Sequence, residues 1–86
     1  MKTTIYIVLT QALDPTTGAS VHKIFELPTH ITLIPGIELI LQDNVFIRVD
    51  SIKYNLKDNT CKIVYRRECC GIGEEVYRYE ERGWSK

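Results

Sequence analysis

The sequence predicts an all-β fold, a small antiparallel barrel or tight sandwich of about five or six strands. Apolar residues alternate with a period of two over several stretches, as they do in strands with one buried face. The dipeptides Asp43-Asn44 and Asp58-Asn59, which suit tight turns, separate some of these stretches. With 86 residues the chain can bury one small core, so we treat residues 1–86 as a single β domain.

The N-terminal half contains three predicted strands. The first covers residues 3–13 and the second residues 20–27. Between them, residues 14–18 are predicted to turn, because they include a proline and end on a glycine. The third strand covers residues 37–42, and it follows a segment bounded by Pro28 and Pro35-Gly36, which disfavour a helix there.

The stretch Val45–Leu56 is predicted to form one long, bent strand. Its apolar residues occupy odd positions at first and even positions later: Val45, Ile47 and Val49, then Ile52, Tyr54 and Leu56. A strand cannot change the face that it buries without an additional residue. We therefore predict a β-bulge at Asp50-Ser51.

The turn at Asp58-Asn59 predicts how this strand pairs with the next one. Counting outward from the turn gives three apolar pairs on one face and a charge pair beyond the bulge: Leu56 with Cys61, Tyr54 with Ile63, Ile52 with Tyr65, and Asp50 with Arg67. The same count directs Lys53, Lys62 and Arg66 to the opposite face. The bent strand and its tight hairpins, over residues 36–68, resemble small SH3-like barrels. This resemblance is architectural and implies no function.

Residues 74–82 are predicted to form a sixth strand, because Val76, Tyr77 and Tyr79 favour strands. A short helix is the competing interpretation. Glu74 and Arg78 are four residues apart, as in a helical ion pair, and glycine at position 83 suits a helix C-terminus.

No catalytic, metal or cofactor site is predicted. Cys61, Cys69 and Cys70 are an odd number of cysteines, which disfavours a disulfide framework, and they lack the paired spacing of metal ligands. His22 and His30 are the only imidazoles, and neither lies in a recognisable catalytic motif. We therefore expect no enzymatic activity and no cofactor.

The charges cancel over the whole chain but are unevenly distributed. Residues 45–67 carry six basic and two acidic side chains, whereas each flanking segment is net acidic. The basic residues of this segment, with one aromatic residue, predict a sheet face that could hold a nucleic-acid strand: Phe46, Arg48, Lys53, Lys62 and Arg66. Because the net charge is zero, we rank nucleic-acid binding second.

The C-terminal segment is rich in the residues that dominate protein interfaces. Tyr77, Arg78, Tyr79 and Trp84 are the predicted interface residues. The alternative is that Tyr77 or Tyr79 packs on the barrel and that Trp84 covers an open end of it. We therefore expect a non-enzymatic binding or adaptor module that contacts a protein partner. An inhibitor, an accessory protein and a homodimer all fit this description. We also expect no contact with membranes, since no apolar run is long enough to span one, and a location in the reducing cytoplasm.

Overall fold

The computed structural model describes residues 1–14 and 16–86. These residues form six strands and a helix: β1 (Lys2–Gln11), β2 (Gly18–Glu26), β3 (Glu38–Ile40), β4 (Phe46–Arg48), β5 (Ser51–Asn55), β6 (Thr60–Cys69) and α1 (Ile72–Glu81). The fold is mostly β, as predicted. The turn predicted at residues 14–18 includes Pro15, which lies outside the described residues. No described helix has the length and apolar character that crossing a membrane requires.

The main sheet is open and mixed, which corrects the predicted antiparallel barrel. Its strand order is β2-β1-β6-β5, and β3 and β4 form a separate two-stranded sheet. β1 runs parallel to β6, while both edge strands are antiparallel to their neighbours. Among the described residues the sheet does not close, and an SH3-like barrel over residues 36–68 is not confirmed. Alternation specifies which side chains share a face, but it does not specify which strands are neighbours.

One face of the main sheet is covered, and the core lies under that cover. Ile5 and Ile7 of β1 and Ile63 of β6 are fully buried there. Ile47 of the β3–β4 hairpin and Val76 of α1 belong to the same core cluster. The hairpin and the helix therefore pack on a single face of the main sheet, and the described elements leave its other face uncovered.

The stretch Val45–Leu56 does not form one long strand, which corrects the prediction. It is divided between β4, which pairs with β3, and β5, which pairs with β6 in the main sheet. The β-bulge predicted at Asp50-Ser51 therefore falls at the break between two strands and not within one ladder. Ser51 is the residue paired with Val64 of β6, and the Asp50 N–H donates to the carbonyl oxygen of the same Val64 at 2.9 Å. The change of buried face between Val49 and Ile52 therefore occurs where the chain passes from one sheet to the other. The Asp50 carboxylate also accepts a 2.6 Å hydrogen bond from the Arg66 N–H, which holds the connection between β4 and β5 against β6.

The β5–β6 hairpin has the predicted faces but not the predicted register. Ile52 pairs with Ile63 and Tyr54 with Cys61, a shift of two residues from the predicted pairs. A shift of two leaves every side chain on its predicted face. The shift arises because the turn is longer than two residues and already includes Leu56.

Only part of the predicted inner face of β5 is buried. Ile52 packs against the core, whereas Tyr54 is 47% exposed and Leu56 is 90% exposed. The predicted pair of Asp50 with Arg67 does not form either, because the Arg67 guanidinium bonds to Glu75 of α1 at 2.8 Å.

Residues 72–81 form a helix, so the predicted strand at residues 74–82 is wrong and the competing interpretation is correct. Val76 and Tyr79 lie three residues apart on the face of α1 that is buried. The predicted helical ion pair between Glu74 and Arg78 forms at 3.5 Å. Gly83 ends the helix with a φ of +90°, a conformation that favours glycine.

Candidate functional site

The uncovered face of the main sheet, which we call the outer face, presents side chains from all four strands. Because side chains alternate along a strand, the even-numbered residues of β1, β2 and β6 and the odd-numbered residues of β5 point outward. The central part of the outer face consists of Thr4, Tyr6, His22, Ile24, Ser51, Lys53, Lys62, Val64 and Arg66.

Tyr6 lies at the centre of the outer face between an imidazole and an ammonium group. His22 is its direct partner on β2, and the two ring centroids are 5.4 Å apart with the planes inclined by 31°. From β6, the Lys62 Nζ atom lies 4.7 Å from the centroid of the Tyr6 ring, a cation–π contact. The outer face therefore combines aromatic surface with positive charge at its middle.

Lys53 and Lys62 are directly opposite each other on neighbouring antiparallel strands. Like charges in this position destabilise a sheet. No ion pair between described residues includes either ammonium group. An anion bound between the two lysines would relieve their repulsion.

A shallow depression of about 420 Å³ occupies this part of the outer face. Lys2, Lys53 and Lys62 contribute three positive charges to its lining, and Tyr6 contributes its ring. None of the described lining residues is acidic. The depression is therefore suited to a ligand that carries negative charge and a flat group.

The structure brings together three of the five residues predicted for the nucleic-acid face. Lys53, Lys62 and Arg66 share the outer face, whereas Phe46 and Arg48 lie on β4 in the separate hairpin. Tyr6, His22 and Lys2 were not predicted as site residues, although their even positions on strands place them on one face. Only the parallel pairing of β1 with β6 reveals that they lie beside the lysines.

The four predicted interface residues do not form one surface. Trp84 is 3% exposed, and its ring packs against those of Phe25 and Tyr79, each with its centroid 5.7 Å away. Tyr79 is also buried. Both side chains therefore belong to the core, because the small sheet needs large side chains to close the space beneath α1. Tyr77, which is 62% exposed, and Arg78 remain on the surface of the helix.

Asp43 anchors the C-terminal segment to the turn between β3 and β4. Its carboxylate accepts hydrogen bonds from Trp84 Nε1 at 2.8 Å and from Lys23 Nζ at 3.2 Å. Burial raises the pKa of Asp43, but the hydrogen bonds from Trp84, the Val45 N–H and Lys23 outweigh burial, so the net change lowers this pKa. The ionised carboxylate is thus the form that the fold stabilises.

Acidification is expected to reduce the stability difference between the wild-type protein and an Asp43→Asn variant. Because the folded state lowers the pKa of Asp43, the carboxylate contributes stability above its usual pKa of about 3.9. That contribution is lost as the pH falls through the lowered value. Thermal unfolding of both proteins, followed from about pH 6 to about pH 2, measures the difference. A difference that stays constant over this range would contradict the assignment.

Two of the three cysteines, Cys61 and Cys69, belong to the core. Cys61 and Cys69 are buried, Cys70 is exposed, and all three thiols are free. Burial raises the pKa of the Cys61 thiol, with a partly opposing hydrogen bond to Thr3, which disfavours a reactive thiolate. Among the described residues, no group of three or more His, Cys, Asp or Glu side chains is placed to hold a metal ion.

No protein-family model, curated protein or solved structure matches this chain. We therefore infer the function from the geometry of the outer face.

Proposed function

We propose that the protein binds single-stranded nucleic acid on its outer face. The observation that carries this proposal is the pair of opposed lysines, Lys53 and Lys62, beside the ring of Tyr6 in a depression lined by no described acidic residue. Proteins that bind single strands combine positive charge for the phosphates with aromatic rings on which unpaired bases stack. A duplex offers no free base faces to Tyr6, so the single strand is the better fit.

The two halves of the outer face have different chemistry, which supports a specific orientation of the strand. The half formed by β5 and β6 carries Lys53, Lys62 and Arg66, which can contact phosphates. The half formed by β1 and β2 carries Tyr6 and His22, which can stack with bases. A strand that runs along β6 would meet both halves at once.

The spacing of the positive charges favours a polymer over a small phosphate compound. Lys62 and Arg66 are four residues apart on the same face of β6, which corresponds to roughly 13 Å along a strand. One phosphate cannot bridge that distance, whereas successive phosphates of one nucleic-acid strand can contact both side chains. Because the whole chain is neutral, we expect affinities typical of non-specific binding, with dissociation constants of about 10⁻⁴ to 10⁻⁶ M.

The role of Tyr6 provides the first test of this proposal. Tyr6→Ala is expected to weaken binding of a fluorescein-labelled oligothymidylate by about 5- to 150-fold, because each base stacked on an aromatic ring contributes about 1–3 kcal/mol. Fluorescence anisotropy at low salt measures the affinity. Tyr6→Phe keeps the ring and should bind nearly as well as wild type, and Tyr77→Ala on α1 serves as a distant control. Equal affinities for wild type and Tyr6→Ala would exclude stacking on this ring.

A protein partner is the second candidate function, and the exposed helix surface favours it. Tyr77 and Arg78 are adjacent and exposed on α1, and both residue types are enriched at the energetic centres of interfaces. The partner in this case is another protein or a second copy of this chain. Sedimentation of wild type and Tyr77→Ala over a range of concentrations tests self-association. For either function we place the protein in the cytoplasm, because three free thiols suit a reducing compartment.

A further inference from the structure

A second cleft lies between the start of β4 and the C-terminal half of α1, away from the outer face. We call it the β4–α1 cleft. Its volume is about 200 Å³, and it is lined by Asn44, Val45, Phe46, Glu75, Arg78, Tyr79 and Arg82. It brings together Phe46 and Arg78, which the sequence analysis had assigned to two different surfaces.

The edge of β4 at this cleft is free to pair with another strand. In the β3–β4 ladder, the Leu41 N–H donates to Val45 O at 2.9 Å and the Val49 N–H donates to Ile37 O at 2.8 Å. Residues of an antiparallel ladder alternate, so the backbone groups of Phe46 and Arg48 point away from β3. No described strand pairs with β4 on that side. A donor and an acceptor of Phe46 are therefore available to an extended peptide.

Two positively charged side chains, those of Arg78 and Arg82, line the β4–α1 cleft. Arg78 and Arg82 lie four residues apart, so they project from the same face of the helix end. Arg82 donates to the backbone oxygen of Asp43 at 3.3 Å, and no ion pair between described residues includes it. Glu75 lines the cleft, but its carboxylate is held by Arg67 at 2.8 Å.

Arg78 is also accessible to a new partner. Its guanidinium pairs with Glu74 at 3.5 Å and with Glu75 at 3.4 Å, and the Arg78 side chain remains 63% exposed. Exposed pairs at such distances contribute little free energy. A carboxylate that approaches from a ligand can compete with them, particularly if the ligand is already held by β4.

We propose that the β4–α1 cleft binds an extended, acidic segment of a protein partner, which adds as a strand to β4 and places carboxylates on Arg78 and Arg82. The exposed ring of Phe46 provides apolar contact beside the added strand. This inference rests on the second candidate function, protein binding, and is independent of nucleic-acid binding. A peptide fits better than a nucleic-acid strand, because the edge of β4 offers both donors and acceptors in the repeat of a peptide backbone.

The test uses the full-length chain, labelled with ¹⁵N, and a capped peptide in which glutamate and valine alternate. We expect the amide signals of Phe46 and Arg48 to shift and their hydrogen exchange to slow as the peptide is added. A matched peptide with glutamine in place of glutamate should bind about 5- to 30-fold more weakly, since it cannot form the two charge pairs.

Substitutions locate the charge contacts. Arg78→Gln and Arg82→Gln keep long polar side chains and are each expected to weaken binding of the acidic peptide by about 2- to 5-fold. Arg66→Gln on the outer face is the matched control and should leave peptide binding unchanged. Equal affinity of all three variants would contradict the proposal.

Three further results would overturn the β4–α1 cleft as the site. These are the absence of saturable shifts at millimolar peptide, shifts centred on Lys53 and Lys62, and equal binding of the glutamine peptide. Shifts confined to the surface around Tyr77 would show that the peptide binds α1 and not the β4–α1 cleft. They would contradict the proposed site but would still support protein binding. A parallel titration with oligothymidylate, read at Tyr6 and its neighbours, reports on nucleic-acid binding separately.

Discussion

Replacing Trp84 with alanine is expected to lower the free energy of unfolding by about 3–5 kcal/mol. The Trp84 ring is buried between Phe25 and Tyr79, and removing it leaves a cavity beneath the end of α1. The substitution also removes the hydrogen bond from the indole N–H to Asp43. Urea denaturation followed by far-ultraviolet circular dichroism measures the change.

Two further variants separate packing from hydrogen bonding at this position. Trp84→Phe keeps a buried ring but loses the donor to Asp43, so it should cost about 1–3 kcal/mol. Tyr77→Ala removes an exposed aromatic residue from the same helix and should stay within about 0.5 kcal/mol of wild type. If Trp84→Ala were as stable as Tyr77→Ala, Trp84 would not belong to the core.

Replacing Lys53 with glutamate is expected to weaken oligothymidylate binding by on the order of 10- to 100-fold at low salt, because it removes a phosphate contact and adds repulsion. The same change should stabilise the fold by about 0.2–1 kcal/mol. The new carboxylate would lie directly opposite Lys62, so a favourable charge pair replaces an unfavourable one. A variant that is more stable but binds more weakly would show that Lys53 and Lys62 contribute to ligand binding at a cost in stability.

The control for this variant is Lys57→Glu, which makes the same charge change in the turn between β5 and β6. It alters the net charge equally but lies outside the outer face, so we expect only a minor effect on binding. Replacing both Lys53 and Lys62 with alanine should in addition reduce the slope of log affinity against log salt by about 1.4. Equal losses for Lys53→Glu and Lys57→Glu would indicate a general charge effect rather than a site.

The sequence was sufficient to predict features that depend on neighbouring residues. The change of parity between Val49 and Ile52 predicted that the buried face changes near Asp50, and the alternation along β6 predicted that Lys62 and Arg66 point outward. These features follow from the alternation of side chains between the two faces of a strand, which can be read from a few consecutive residues. The predicted register of the β5–β6 hairpin was wrong by two residues, because a turn of two residues and a turn of four leave the same side chains on each face.

Features that depend on distant pairing could not be predicted in this way. Nothing local to β1 shows that it lies parallel to β6, yet this pairing makes the sheet mixed and places Tyr6 beside Lys62. The helix at residues 72–81 forms although its aromatic residues favour strands, because burying Val76 and Tyr79 against the sheet outweighs local propensity. Composition likewise could not distinguish Trp84 in a core from Trp84 in an interface.

The most direct test of nucleic-acid binding is to map an oligothymidylate on the ¹⁵N-labelled protein by amide chemical shifts. We expect the affected signals to cluster on Thr4, Tyr6, Lys53 and Lys62, and those of the helix and the β3–β4 hairpin to stay unchanged. Saturable binding whose shifts lie instead on α1 or on the hairpin, or no binding at low salt, would contradict this expectation.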